Sequence, residues 1–347
     1  MKKIFVVLFV LLVSLFSQEI EFSDERGNLI RLEKPASRVI SFPIPLASFS
    51  ISVDNNADKL VSIHPLAKIA IQNGILGKIF PKTLDLQTNA VGSNFVPNVE
   101  EVIRLKPDIV FQWAHMSQKI VEPLQKIGIN LVLLDYGDEK NAINWFKIIG
   151  KAYDLEHKVE TILKNRSFVE NQIATSLKNI RNRPKVLYFL RYKQAFLVSG
   201  KQTYQDYNIK LAGGINVASH IGQKTVNLEQ ILLYNPDIVL LNNFEQDLNP
   251  EDIYSNKFLK HINAVKNRAV YKIPFGGERW DPPSQESHLS WIWLNKIFYG
   301  KSSLNLKKEM MNSYNIFYNY NLNDSEILSI LHYEKNKNSR YYEDILE

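Results

Sequence analysis

The chain of 347 residues contains no cysteine, and its seven histidines are scattered along it. The absence of cysteine excludes disulfides, thiolate chemistry and a lipid anchor of the kind attached to an N-terminal cysteine. No two histidines lie within six positions of each other. The HxH and HExxH pairs that hold a bare metal ion are therefore absent.

A strong charge bias is also lacking. The formal net charge is +6 at pH 7, which is too small to indicate nucleic-acid binding and allows only a modest preference for anionic ligands. Hydrophobic residues make up 45% of the chain and charged residues 22%. These proportions are ordinary for a globular protein with a substantial core, so no disorder is implied.

The first residues have the pattern of a targeting signal. Two lysines precede an apolar run over residues 4–13, and the small residues Ser14 and Ser17 follow it. A membrane anchor is the alternative, but the run is shorter than the roughly 20 residues that span a bilayer. We predict a signal peptide at residues 1–17 and a periplasmic protein that is exported without becoming a lipoprotein.

Signatures of common enzyme classes are missing. Neither GxSxG nor GxGxxG occurs. The segment around Val198 resembles a phosphate-binding loop, but Ala195 replaces its first glycine and Gln202 replaces the Ser or Thr that would hold magnesium. We predict that the protein is not an enzyme, with an exported two-lobed hydrolase or transferase as the rival class.

Two stretches of the chain share one pattern. Residues 98–113, NVEEVIRLKPDIVFQW, recur as residues 227–242, NLEQILLYNPDIVLLN, with six of sixteen positions identical. In each copy an Asn occupies the N-cap of a short helix, a Pro-Asp ends the helix, and an apolar run predicts a buried strand. A helix-turn-strand unit used twice predicts an α/β fold of two Rossmann-like lobes with mostly parallel sheets.

The segment between the two lobes has helical periodicity. Over residues 156–180 apolar side chains recur every three or four positions, with charged residues between them. A helix of about 26 residues would extend roughly 39 Å and join the lobes as a rigid spacer. The predicted divisions are the signal peptide (1–17), an N-terminal lobe (18–142), a linking helical segment (143–183), a C-terminal lobe (184–299) and a C-terminal helical extension (300–347).

Taken in order, these features resemble one family of transport proteins. After the signal come a hairpin of the form Asp-x-x-Gly, Arg38-Val-Ile-Ser, the twin Asn-x-Glu units, the long helix, Val198-Ser-Gly, Thr203-Tyr and Leu211-Ala-Gly-Gly-Ile-Asn-Val. Over residues 22–331 the chain resembles the helix-linked substrate-binding proteins of ABC importers, which carry ferric siderophores, haem, cobalamin and related metal chelates. The resemblance implies a monomer that has no cofactor, binds a small-molecule metal chelate as cargo and works with an ABC permease and its ATPase.

The resemblance also implies a role for the repeated helices. In such proteins each lobe presents a surface glutamate to an arginine of the permease, and these glutamates correspond to Glu100 and Glu229. Glu101 and Gln230 occupy the position that caps each helix, which leaves the preceding glutamates without that role. The alternative is that both acids only interact favourably with the helix dipole.

The cargo site is expected between the lobes, because ligands of open α/β sheets bind beyond the carboxyl ends of the strands. The candidates that follow predicted strands are Trp113, His115 and Tyr136 in the first lobe, and Arg191, Tyr192, Tyr204, Arg279 and Trp280 in the second.

These candidates differ in chemistry. A guanidinium offers a planar fork to carboxylate, catecholate or oxyanion groups, and a structural salt bridge is the alternative for both arginines. Trp113, Tyr192 and Trp280 are candidates to stack on a flat chelate, with core packing as the rival for Trp113. His115 is either a ligand for an open metal position or an ordinary loop histidine.

The identity of the cargo stays open. The absence of paired histidines favours a metal that is already chelated over free zinc or manganese. A ferric siderophore or related iron complex is our leading prediction, and a nickel chelate, cobalamin and a molybdate-type oxyanion are the alternatives.

Overall fold

The computed structural model describes residues 19–347. The predicted signal peptide, residues 1–17, lies outside this range and stays a prediction. Within the described range no helix is both long enough and apolar enough to cross a membrane.

The first lobe is built on a four-stranded parallel sheet, preceded by an antiparallel hairpin. Neighbouring strands of the sheet all run parallel, and its three strands other than β4 are buried along their whole length. Full burial follows because helices cover both faces of the sheet. The hairpin is β1 (Ile20–Ser23) and β2 (Leu29–Leu32), and the sheet has the order β4 (Leu60–Ile63), β3 (Val39–Ser41), β5 (Ile109–Trp113), β6 (Leu131–Leu134).

The helices of this lobe alternate with its strands, as the sequence predicts. They are α1 (Leu46–Asp54), α2 (Pro65–Asn73), α3 (Leu76–Ile79), α4 (Val99–Leu105), α5 (Gln118–Lys126) and α6 (Glu139–Tyr153), with a 3₁₀ turn at Pro81–Asp85. The predicted division between residues 142 and 143 falls inside α6.

The predicted linking helix is α7, and it covers Glu156–Ser176. It ends at Ser176 instead of Ile180 because its last turn tightens. There Lys178 N–H donates to the carbonyl of Thr175, and Ile180 N–H to that of Leu177, each three residues back. The 21 residues extend about 31 Å at 1.5 Å per residue.

The second lobe contains a six-stranded mixed sheet. Its strands β7, β11 and β12 are parallel, so their carboxyl ends meet at one edge, whereas β8 pairs antiparallel with β7 and β10 pairs antiparallel with β8. The path is β10 (Lys224–Thr225), β8 (Leu197–Val198), β7 (Lys185–Arg191), β11 (Ile238–Leu241), β12 (Val270–Lys272), with β9 (Ile215–Asn216) paired to β7.

The remaining helices belong to this lobe and to the C-terminal extension. They are α8 (Tyr204–Leu211), α9 (Leu228–Tyr234), α10 (Pro250–Tyr254), α11 (Asn263–Lys266), α12 (Ser287–Tyr299), α13 (Leu306–Tyr318), α14 (Asp324–Ile330) and α15 (Tyr333–Asn336).

The repeated unit folds alike in both lobes, as α4–β5 and α9–β11. Each helix ends on a left-handed residue just before the proline, Lys106 with φ 47° and Asn235 with φ 38°. The aspartate of each Pro-Asp then forms hydrogen bonds at the start of the neighbouring strand. The Asp108 carboxylate accepts from the N–H groups of Ser37 and Arg38, and the Asp237 carboxylate accepts from Lys185 N–H at 2.9 Å.

A continuous hydrophobic core runs through both lobes. Phe111 of the first sheet, Trp145 of α6, Val169 of α7 and Tyr188 and Trp291 of the second lobe belong to the same buried cluster. The linking helix therefore joins the lobes while packed against α6 and the helices of the second lobe. This packing makes α7 more rigid than a solvated helix of the same length.

The C-terminal extension crosses both lobes. Its helix α13 packs on α1, Asn55 Nδ2 donates to the Ile316 carbonyl at 2.9 Å, and Lys78 pairs with Glu326 at 2.5 Å. On the second lobe α15 packs on β12, and Asn336 Nδ2 donates to the Lys272 carbonyl at 2.8 Å. The extension is thus a second connection between the lobes.

Candidate functional site

The carboxyl ends of the two parallel sheets lie close to each other. Ile75 N–H of the first lobe donates to the Gly276 carbonyl of the second at 3.0 Å, and Ser48 Oγ donates to Gln285 Oε1 at 2.9 Å. Asp281 of the second lobe is near enough to Tyr136 of the first to act on its ionisation. Some residues that follow strands, among them Tyr136 in the first lobe and Asp281 in the second, therefore border one interlobe region.

Two arginines of the second lobe flank one aromatic ring. The guanidinium carbon of Arg191 lies 4.7 Å from the centre of the Phe244 ring, and that of Arg279 lies 5.3 Å from it. Arg279 pairs with Glu278 at 3.1 Å. Arg191 donates to the Leu190 carbonyl and makes no ion pair within residues 19–347. A cation without a direct ion pair thus stands beside a ring that is 41% exposed, although its charge also helps to lower the pKa of Glu245.

Asp281 is the polar centre of the second-lobe edge. Its Oδ2 accepts from the Tyr188 hydroxyl at 2.9 Å and from Asn243 N–H at 3.0 Å, while its Oδ1 is buried without a partner in the described chain. The Arg279 Nε is also buried and lacks a hydrogen-bond partner there. Burial, followed by the charge of Asp281, raises the pKa of Tyr188 well above its usual value.

Three aromatic candidates of the first lobe form a layered group. Trp113 is only 5% exposed and packs edge-on to Tyr136, at 5.6 Å between ring centres, and against Trp145. His115 is exposed and stacks on Trp113 at 6.0 Å. The structure thus places Trp113 in the core, where it supports the outer residues, while His115 and Tyr136 present surface.

Tyr136 faces the opposite lobe. It is 51% exposed, yet the protein atoms around it and then the charge of Asp281 raise its pKa to about 12. Its hydroxyl consequently keeps its proton at neutral pH and is available as a hydrogen-bond donor.

Tyr204 and Trp280 are placed inside the protein rather than on a cleft surface. The Tyr204 hydroxyl donates to Glu139 Oε2 at 3.0 Å, and Glu139 forms a buried ion pair with Arg166 of α7. Trp280 is fully buried, and its Nε1 donates to Glu286 Oε2 at 2.8 Å. Both side chains use their polar atoms on internal partners, which lie 65 positions away for Tyr204 and six positions away for Trp280.

Tyr192 is partly buried in the outer core of the second lobe. Its ring packs against Phe189 and Phe196, and its hydroxyl accepts from Asn256 Nδ2 at 2.8 Å. These contacts give Tyr192 a packing role.

The two predicted docking glutamates are exposed. Glu100 and Glu229 lie in the first turns of α4 and α9, and within the described residues neither makes a hydrogen bond or ion pair. Gln230 completes the predicted capping box with Asn227. Glu101 is also occupied locally, but its carboxylate binds Arg104 instead of returning to the helix cap, because a guanidinium lies one turn along.

Within residues 19–347 no group of three or more His, Asp or Glu side chains is arranged to hold a metal ion. The segment 276–281, which follows the last predicted strand, is also expected at the cleft by the strand-end rule, and Asp281 lies at its end. Its distant partners Tyr188 and Asn243 give it a central place that the sequence alone does not show. Sequence reasoning missed one residue of the site. Phe244 follows β11, so the strand-end rule that nominated its neighbours also applies to it.

Comparisons with known proteins agree with this architecture. Residues 67–275 match the family described as "Periplasmic binding protein". A periplasmic solute-binding protein from Veillonella parvula is 31% identical, and the match covers 91% of this chain and 98% of that one with a TM-score of 0.83. The chain belongs to the periplasmic binding protein family. The predicted resemblance and the two-lobed fold are thereby confirmed.

Other members of this periplasmic binding protein family are more distant. The "High-affinity heme uptake system protein IsdE" of Staphylococcus aureus is 24% identical over 196 residues, which cover 54% of this chain and 67% of that protein. The molybdate periplasmic binding protein MolA of Haemophilus influenzae is 18% identical, with a TM-score of 0.72 over 87% of this chain and 99% of that one. The latter likeness concerns the fold alone. The family is one of solute-binding proteins rather than enzymes.

Proposed function

We propose that this periplasmic binding protein is the solute-binding component of an ABC importer and carries a metal chelate between its lobes. The observation that carries the proposal is the guanidinium of Arg191, which makes no direct ion pair in the described chain and lies beside the exposed Phe244 ring. Tyr136 of the first lobe is close enough to act, as Arg191 does, on the ionisation of Tyr188. A cation, an aromatic face and a phenolic donor suit a ligand that combines anionic groups with flat apolar surface.

A ferric siderophore or related iron complex is the cargo we propose first. Its catecholate, hydroxamate or carboxylate groups supply both the iron ligands and the negative charge that Arg191 would bind. The relatedness to a haem uptake protein supports a cargo in which the metal arrives already wrapped. His115, exposed at the first-lobe edge, would serve an open coordination position or a chelator hydrogen bond.

A molybdate-type oxyanion is the second candidate, and one observation favours it. Arg191 and Arg279 approach the same ring from two positions, and paired guanidinium forks suit a compact oxyanion as well as a chelate. The structural likeness to a molybdate-binding protein shows that this fold accommodates such a ligand.

Delivery would use the repeated helices. Glu100 and Glu229 occupy equivalent places in the two lobes and are exposed and unpaired in the described chain. We propose that they bind arginines of the permease, where the ATPase drives release. Export through residues 1–17 and a monomeric state are further parts of this proposal.

Ligand screening tests the cargo. Tryptophan fluorescence quenching and native mass spectrometry would be run with ferric catecholate, ferric hydroxamate, haem, cobalamin, nickel–histidine and molybdate. We expect saturable binding of an iron chelate, weakened about tenfold or more in Arg191→Met because one charge-assisted contact is lost. The matched control is Arg181→Met, which removes an exposed arginine of the linking segment.

Two results would contradict the cargo assignment. Saturation by molybdate alone would replace the chelate by the oxyanion, and equal weakening in both arginine variants would remove Arg191 from the site. Chemical turnover of any bound compound would favour the hydrolase or transferase class instead.

A further inference from the structure

A cavity lies where the C-terminal extension meets both lobes. It has a volume of about 190 Å³. Asn73, at the end of α2, lines it from the first lobe; Asn243 and Lys272 line it from the second; His332 and Lys335 line it from the extension. Arg191, Arg279 and Tyr136 are not among its lining residues.

Lys272 is a buried cation without a direct ion pair in the described chain. It is only 1% exposed, and its Nζ donates to the carbonyls of Asn242 and Glu245, each at 2.6 Å. Within the part of the chain that the structure covers it makes no ion pair. An ammonium has three protons to donate, so one remains. Burial of a charge without an opposite charge is costly, and a bound anion would remove that cost.

Lys335 adds a second positive charge to the same cavity. Its Nζ donates to the Gln246 carbonyl at 2.9 Å, which leaves two protons free, and it too has no ion pair in residues 19–347. Burial and then the charge of Lys335 lower the pKa of Lys272 to about 8, against the opposite influence of Asp281, Glu245 and Asp247. The two lysines therefore repel each other, and the three carboxylates offset part of that repulsion without forming a direct ion pair with Lys272.

His332 contributes a neutral polar group. Its Nε2 lies 3.2 Å from Asn243 Oδ1, and Asn243 Nδ2 donates to the carbonyls of Ile273 and Pro274. Because the amide oxygen accepts, His332 Nε2 must carry the proton. Burial and the nearby lysines lower the His332 pKa to about 3, so the ring is uncharged at neutral pH.

We propose that this lysine pocket, formed by Lys272 and Lys335 with Asn73, Asn243 and His332, binds a small oxyanion of the phosphate or sulfate class. Its volume of about 190 Å³ is several times the roughly 30 Å³ occupied by one water molecule, so an oxyanion fits together with water. Since the lining comes from both lobes and the extension, the bound anion would link all three.

The test uses inorganic phosphate and sulfate as probes. Isothermal titration at pH 7 would compare their sodium salts with sodium chloride at equal ionic strength. We expect saturable one-site binding that chloride does not reproduce, and a loss of affinity of about tenfold or more in Lys335→Met, which removes charge-assisted hydrogen bonds. The partly exposed Lys335 is chosen because Lys272→Met risks misfolding.

Two control variants locate the anion. Lys337→Met removes a charge two positions along, where the ammonium pairs with Glu334 at 2.7 Å, and should leave affinity unchanged. Arg191→Met should also leave it unchanged, since Arg191 belongs to the proposed cargo site.

Three results would overturn the proposal: no binding beyond that of chloride, equal affinity in wild type and Lys335→Met, or loss of binding in Arg191→Met. The last result would place the oxyanion in the cargo site. Failure of the lysine pocket leaves the chelate experiment unaffected, because the two tests use different probes and different variants.

Discussion

Removal of Arg166 should destabilise the whole molecule, because this side chain joins three parts of it. From α7 its guanidinium pairs with Glu139 at the start of α6 and donates to the carbonyls of Ser284 and Gln285 in the second lobe. It also packs on Trp291, with its guanidinium carbon 5.0 Å from the ring centre. Arg166 and Glu139 are both almost fully buried.

In Arg166→Met the carboxylate of Glu139 would remain buried, with the Tyr204 hydroxyl as its remaining side-chain donor in the described chain. Breaking a buried pair in this way typically costs about 3–5 kcal/mol. The assay is urea unfolding followed by tryptophan fluorescence. Arg104→Met removes an exposed guanidinium that pairs with Glu101, and should cost less than about 1 kcal/mol.

A second substitution separates loss of the pair from loss of packing. Glu139→Gln combined with Arg166→Met removes the stranded charge and should recover part of the stability. If Arg166→Met costs no more than Arg104→Met, the buried pair does not hold the lobes together and the reasoning fails.

Three further predictions concern docking, pH and the first-lobe edge. Glu100→Ala with Glu229→Ala should abolish uptake by whole cells while the purified protein keeps its ligand affinity; an uptake rate near wild type would refute the docking role. Burial raises the pKa of Glu286 to about 7, so its contribution to stability is present below the unfolded pKa and is lost as pH rises through 7. Relative to Glu286→Gln, wild type should lose roughly 2–3 kcal/mol of unfolding free energy between pH 4.5 and pH 8, and parallel pH profiles would contradict this. Trp113→Ala should lower the free energy of unfolding in urea by about 3–5 kcal/mol, because it empties a core position. His115→Ala changes a surface residue and should cost less than about 0.5 kcal/mol. Similar losses in both variants would contradict the assignment of Trp113 to the core and His115 to the surface.

The sequence was sufficient to predict the structural features that depend on local residue patterns. The repeated Asn, Glu and Pro-Asp predict α4–β5 and α9–β11, because caps and buried strands depend on neighbours a few positions away. The exposure of Glu100 and Glu229 follows from the same pattern, because the second residue of each of these helices points towards solvent. The strand-end rule likewise brought Tyr136 and Arg191 to one region.

What the sequence could not predict depends on distant partners. Tyr204 follows a loop, as a cleft residue would. Its hydroxyl nevertheless donates to Glu139, which belongs to the other lobe. The indole of Trp280 donates to the buried Glu286 only six positions along, but the same carboxylate also accepts from Tyr318 of α13, which lies 32 positions further on. The tightening of α7 after Ser176 has no strong marker, because apolar periodicity continues to Ile180.

The C-terminal extension has a consequence for how the cleft opens. Two connections between two rigid bodies restrict their relative motion to rotation about the line that passes through both. The helix α7 provides one connection, and the contacts of α13 and α15 with opposite lobes provide the other. Together with the direct contacts Ile75–Gly276 and Ser48–Gln285, the two connections restrict any opening of the proposed cargo site to a swing about that line.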